Sequence, residues 1–271
     1  PSLGRVPIDP PYVGRVTGPM TRTVNDAALL MSVLSQPDPR DGMSLPPADI
    51  DWPSLDASPK GKRIGLMLDL GFGDKLEDEV RATVTAAARA FESAGASVTE
   101  VGGVITRETL DGLDAFWRAR SWDDLLRLPE DVRNKALPYI YQWAEGGAKL
   151  TGVDVVRGFN ATMAIRAAAA QLFAGLDYVI SPVSPVVKFA AERAAPRNDP
   201  HKPFEHIIYT VPWNMAENPA ASINGGYDGE GFPIGVQIVG RRFDDLGVLR
   251  MAKAFESLRG PQKPWPVPPS K

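Results

Sequence analysis

The chain has 271 residues, 44% hydrophobic and 23% charged, with a net charge of −3 and no cysteine. These values exclude a disordered chain, a basic nucleic-acid-binding face, disulfides, a thiol nucleophile and thiolate zinc sites. No apolar run approaches the roughly 20 residues of a membrane span and no signal peptide is evident, so a cytoplasmic protein without a membrane partner is expected.

Such a length suits one large α/β domain or two small ones. The entry segment, with Gly4, Pro7, Pro10, Pro11 and Gly14, reads as irregular and extended. After Gly18-Pro19 a helix starts, because Thr23 and Asp26 have capping-box spacing. Val24, Ala27, Ala28, Met31 and Leu34 give it one apolar face, and Pro37 ends it. Residues 36–61 form a long surface excursion in which Trp52 and Leu55 have something to bury. Ile64-Gly65-Leu66-Met67-Leu68 is an apolar run expected of a strand covered on both faces. Asp74 and Glu77 open a helix with Val80, Val84, Ala87, Ala88 and Phe91 inward and Gly95 as its stop; Ala96 to Val101 alternates like a strand. Strand, helix and strand predict a βαβ unit with a parallel pair.

Residues 108–148 read as helical, broken by Pro129 and Pro138 and crowded with Phe116, Trp117, Trp122, Tyr139, Tyr141 and Trp143. Such a cluster is ordinarily core; a ligand wall is the alternative. Thr151 and Asp154 repeat the capping-box spacing before an Ala-rich helix with Val155, Phe159, Met163, Ala170 and Phe173, which ends at Gly175. Asp177 to Ile180 reads as a strand stopping at Ser181-Pro182, a place where open α/β sheets bind ligands if the strand is parallel to its neighbours. Residues 186–206 are loop-like and hold both histidines, expected to be solvent-exposed. Two short strands, around 220–223 and 233–240, flank a Gly-rich turn and suggest a hairpin. A last helix turns Val248, Met251, Ala252, Phe255 and Leu258 inward, and the Pro-rich tail from Pro261 is expected to wrap the surface.

A search for chemistry returns little. There is no Gly-x-Ser-x-Gly elbow, P-loop, His-Glu-x-x-His or dinucleotide fingerprint. Gly71-Phe72-Gly73 follows a strand but lacks the third glycine. Ser181, Ser184 and Ser222 could line a pocket, yet none has a base that the sequence places beside it. No cofactor and no metal are implied.

Several stretches taken together resemble the amidase signature family of serine hydrolases. They are Gly4-Arg5-Val6-Pro7, Gly18 through Asp26, Pro37 to Asp41 with Ser44-Leu45-Pro46, and the strand–helix–strand from Ile64. They continue with Tyr209 to Met215, Pro219-Ala220-Ala221-Ser222, and Pro233 to Arg241. Only the aromatic region from about 104 to 150 matches nothing in the family, where that region varies with substrate.

The resemblance implies an α/β fold with a large mixed β-sheet covered by helices on both faces, of which residues 1–271 are the C-terminal portion of one domain. It implies amide hydrolysis by a Ser nucleophile, a second Ser and a Lys, with backbone amides holding the oxyanion. In the family all three groups precede the Gly-Arg-Val-Pro segment, so no catalytic residue carries over, and this polypeptide alone is expected to hydrolyse no amide. The start at Pro1 rather than Met suits a chain cut from something longer. Arg22 and Asp26 match positions supporting the nucleophile segment, more in keeping with an ion pair or cap than a substrate contact. Ser181 and Pro182 match the strand end that approaches the active site, and Trp213, Asn214 and Met215 match a segment near the acyl pocket. The family usually has Gly where Glu217 or Asn218 stands, which leaves that loop's geometry open. Ile207 and Ile208 stand where glutamine-using members carry an acidic residue, which disfavours glutamine. The implied partners are a small-molecule amide and the missing N-terminal portion, with a homodimer as the expectation if the uncovered face pairs with itself. Two other readings stay open: a non-catalytic binding or scaffolding protein, and a subunit completed by a separate catalytic polypeptide.

Overall fold

The computed structural model describes residues 1–264 and 267. Five strands form one mixed sheet in the order β2-β1-β3-β5-β4. β1 (Arg63–Leu66) pairs in parallel with β2 (Ser97–Glu100) and with β3 (Tyr178–Pro182). β5 (Pro233–Gly240) runs antiparallel to β3 and to β4 (Ala220–Tyr227), so the suspected hairpin is present. Every residue of β3 is buried. Since successive side chains point to opposite faces, both faces of the sheet are covered there.

α2 (Asp78–Ser93) joins β1 to β2 and, with α8 (Asp245–Leu258), packs against the sheet. α2 buries Val80, Val84, Ala87, Ala88 and Phe91, as its 3.6-residue spacing predicts, and Gly95 turns the chain at φ +94°. Phe91 stacks on Phe255 of α8 with centroids 5.6 Å apart. A second helical group consists of α3 (Arg107–Leu126), α4 (Glu130–Arg133), α5 (Pro138–Glu145) with a 3₁₀ turn after it, α6 (Gly152–Ala174) and α7 (Val211–Ala216). Buried residues of α2, α8, α6, α7 and the sheet belong to one continuous core, with a small satellite of Val6, Met31 and Trp52.

Four local expectations need correction, and one is that Leu258, at the last turn of α8, is exposed rather than turned inward. α1 (Val24–Leu34) buries Val24, Ala28 and Met31, but Leu34 is exposed together with Leu29, Leu30 and Val33. The helix packs on α8, with Val24 and Ala28 in the main core and Met31 in the satellite, so one narrow stripe is covered. The stripe of α6 is Gly158, Thr162, Ile165, Ala169 and Phe173, with Met163 and Ala170 exposed. Gly158 lets α3 approach closely, which turns the stripe away from Met163 and Ala170. His206 is half-buried, edge-on to Phe189, while His201 is exposed as expected. Burial pushes the His206 pKa below the ordinary histidine value, with the Asp74 charge opposing. The expected course of the Pro-rich tail lies partly outside the described residues; within them Gln262 and Lys263 meet Asn224 and Tyr227 of β4.

Candidate functional site

α7 is the hub of the site. Its first turn contains Pro212, whose missing amide would be unpaired there in any case. Trp213 is fully buried edge-on to Phe173, and Met215 is equally enclosed. Asn214 Nδ2 donates to the Gly14 carbonyl oxygen at 2.9 Å. Gly14 has φ +77°, and a Cβ there would strike Met215 Cε. The entry loop is thus pressed onto α7 by a hydrogen bond and a contact that only glycine permits.

Directly after α7, Glu217 takes the left-handed conformation at φ +65°, where the family resemblance leads one to expect glycine. Its buried carboxylate is shared by Arg166 of α6 and Arg242 after β5. Asn218 Nδ2 donates to the Gly240 carbonyl oxygen at 2.8 Å, so the turn is fixed to the end of β5.

Ser181 is fully enclosed at the end of β3. Gln237 Nε2 on β5 donates both to Ser181 Oγ at 2.8 Å and to the Tyr209 carbonyl oxygen at 2.7 Å. Tyr209 in turn donates its hydroxyl to the Leu68 carbonyl oxygen at 2.8 Å. This chain of bonds ties the ends of β1 and β3 and the middle of β5 to the start of α7. The structure therefore brings Ser181, Pro182 and α7 to one end of the sheet. Ser181 and Trp213 are embedded behind that surface, and Asn214 reaches it through Gly14.

Two concave regions flank these elements. The first, about 300 Å³, lies between the entry loop (Tyr12, Gly14) and the helices carrying Trp117, Arg120, Ser121 and Trp143. The second is a groove of about 930 Å³ between the segment around Pro19 to Val24, β4 and α8. Arg22 lines that groove. Asp26 is exposed, accepts the Thr23 hydroxyl at 2.7 Å and donates its backbone N–H to Thr23 Oγ, so Thr23 caps the helix and Asp26 is its partner in the first turn. The Gly-Arg-Val-Pro segment is anchored nearby through a buried pair, Arg5 Nε with Asp245 Oδ2 at 3.2 Å, at the start of α8.

The loop from 186 to 210 is pinned over the sheet end by two carboxylates. Glu205 is buried and both of its oxygens accept from Arg107 Nη2 at 2.8 Å; Asp74, also buried, pairs with Arg197 at 2.7 Å. Among the described residues no group of three His, Cys, Asp or Glu side chains is arranged to hold a metal ion. The aromatic region divides: Trp143 is buried, whereas Phe116, Trp117, Trp122 and Tyr141 are half-buried, and Trp117 and Trp143 wall the smaller cavity. Tyr12, Arg120 and Gln237 belong to the site although sequence reading did not single them out. Gln237 had a signal, a polar side chain inside an apolar strand. Tyr12 and Arg120 had none.

A model of the amidase family matches residues 1–249. The chain belongs to the amidase family. Among amidase relatives, a glutamyl-tRNA(Gln) amidotransferase subunit of Myxococcus xanthus strain DK1622 is 30% identical over 264 residues, covering 88% of this chain and 54% of that protein. An acylamidase of Rhodococcus erythropolis is 30% identical over 261 residues, covering 92% of this chain and 52% of that protein. The crystal structure of a bacterial aryl acylamidase of the amidase signature family superposes with a TM-score of 0.77 at 27% identity, over 95% of this chain and 57% of that one. The chain thus spans about half the length of the curated relatives it matches. Among the described residues no helix is long and apolar enough to cross a membrane.

Proposed function

We propose that these 271 residues are the C-terminal portion of an amidase that hydrolyses a carboxylic amide with a Ser nucleophile, a second Ser and a Lys. All three groups come from outside the chain. The chain itself supplies scaffold and part of the substrate pocket, with Ser181 and Pro182 fixing the sheet end and Trp213, Asn214 and Met215 backing the pocket. Arg22 and Asp26 steady the segment behind the nucleophile.

The observation that carries this reading is the large open groove between the Gly18–Asp26 signature stretch, β4 and α8. It lies beside the signature stretch, and one wall is the edge strand of a sheet, which offers unpaired backbone groups to another segment. Relatives twice as long have a further half with which to fill such a groove. Ile207 and Ile208, in the loop before α7, favour an acyl or aryl amide over glutamine. The test is to assay an aryl anilide with the 271-residue chain alone and with the same chain continued to the length of its relatives. Turnover is expected only in the longer protein. Turnover by the chain alone overturns the division of labour, and silence of the longer protein toward every amide favours the binding or scaffolding reading.

A further inference from the structure

The smaller cavity lies where the entry loop meets α3 and α5. Tyr12 stacks with Phe116, centroids 6.1 Å apart and planes 10° from parallel, and the Arg120 guanidinium lies 3.3 Å over the Tyr12 ring centroid. A stacked guanidinium presents its face to the ring and leaves its in-plane N–H donors for an acceptor. Among the described residues the one carboxylate within 4.0 Å of that guanidinium is Asp124, at 3.9 Å, too long for a hydrogen bond. Arg120 is therefore a cation on the cavity wall with no carboxylate within hydrogen-bond reach among the described residues. The Tyr12 hydroxyl beside it is buried and makes no hydrogen bond of good geometry.

The remaining wall holds Gly14, Arg15 and Ser121 together with two tryptophans fixed by their neighbours, and Arg15 donates to the Pro10 carbonyl oxygen. Trp117 and Trp143 both stand edge-on to Phe204, at 4.9 and 5.6 Å. Trp143 Nε1 donates to Asp114 Oδ1 at 2.8 Å, and the other oxygen of Asp114 accepts from Arg118 Nε at 2.8 Å. A dry cavity of roughly 150 Å³ is enough to hold benzene. About 300 Å³ therefore admits one ring with a short substituent. Gly14, on the rim, accepts the hydrogen bond from Asn214, which places the cavity against α7.

We propose that this cavity binds a single aryl ring bearing a carboxylate, the ring against Tyr12, Trp117 and Trp143 and the carboxylate on the in-plane donors of Arg120. The proposal rests on the amidase reading for its meaning, since it makes the ring the aryl end of the amide substrate, but its test does not depend on turnover. Phenylacetate and its neutral counterpart phenylacetamide are titrated into the 271-residue chain and followed by tryptophan fluorescence. Both are expected to bind in the roughly millimolar range, the acid about tenfold more tightly at low salt.

Arg120→Met removes that preference, so that acid and amide bind alike, Arg120→Lys restores part of it, and Ser121→Phe, which fills the cavity, removes binding of both. Thermal melts confirm that each variant is folded. Equal binding of the two probes, or an Arg120→Met chain that keeps the preference, overturns the carboxylate assignment. Binding of neither probe overturns the site. An acid preference without amide turnover in the longer protein retains this site and overturns the amidase reading; aryl-amide turnover without acid preference does the reverse.

Discussion

At the scale of single residues, Glu217 is where backbone and side chain pull in opposite directions. A non-glycine residue at φ +65° carries a cost of about 1 kcal/mol. The carboxylate compensates by joining Arg166 and Arg242, which come from different elements and would otherwise face each other without a counter-ion. Both guanidiniums keep some solvent, so loss of the carboxylate should cost about 2 kcal/mol, between an exposed pair and a fully buried one. Glu217→Ala loses the carboxylate and keeps the strain, whereas Glu217→Gly loses the carboxylate and relieves it. Urea denaturation should therefore rank wild type above Glu217→Gly and Glu217→Gly above Glu217→Ala, the last two separated by about 1 kcal/mol. A glycine variant about 1 kcal/mol more stable than wild type would mean that the clamp contributes nothing. The sequence marked this position through its departure from glycine, and left its two arginine partners unmarked because both lie far from it along the chain.

Between elements, the closest crossing is that of α3 and α6. A Cβ at Gly158 would run into the Gly112 carbonyl oxygen and sit 3.0 Å from Phe116 Cβ and N. Gly158→Ala should therefore push the helices apart and destabilise the fold by about 1–3 kcal/mol, the usual cost of overpacking, despite the better helix propensity of alanine. Because α3 carries Trp117 and Arg120, the same variant should weaken phenylacetate binding. A thermal melt unchanged from wild type would show that the crossing has slack. The same crossing explains which elements were legible in the sequence. β1, α2 and β2 were readable because a continuous apolar run and a regular helical stripe each have one physical solution. The stripe of α6 was misplaced because the contact face is made of small residues, which hydrophobic periodicity does not weigh. The smaller cavity was invisible for a different reason: Tyr12 and α3 are distant in the chain, and no local pattern records their meeting.

For the molecule as a whole, one group of uncovered apolar side chains gathers on and before α1, beside the large groove. β4 is an edge strand, and one wall of the large groove is its first half, Ala220 to Ile223, with Val24, Ala27 and Met31 of α1 opposite. On the outward face of α1, Leu29 and Val33 are about two-thirds exposed, and Met20 before it is almost wholly so. Large contiguous apolar patches and open strand edges on a soluble chain promote association. The 271 residues alone should therefore self-associate with increasing concentration and bind an apolar dye. Two tests separate the contributions. Leu29→Lys with Val33→Lys should lower dye binding while leaving the groove intact, whereas Ala221→Lys, which places a charge on the edge strand, should reduce association measured by sedimentation velocity. Continuing the chain to the length of its relatives should suppress both signals without any substitution, because the added half would occupy the groove and pair with β4. A monodisperse, dye-silent 271-residue monomer would overturn this account, since it would mean that the groove and the edge are tolerated by water as they stand.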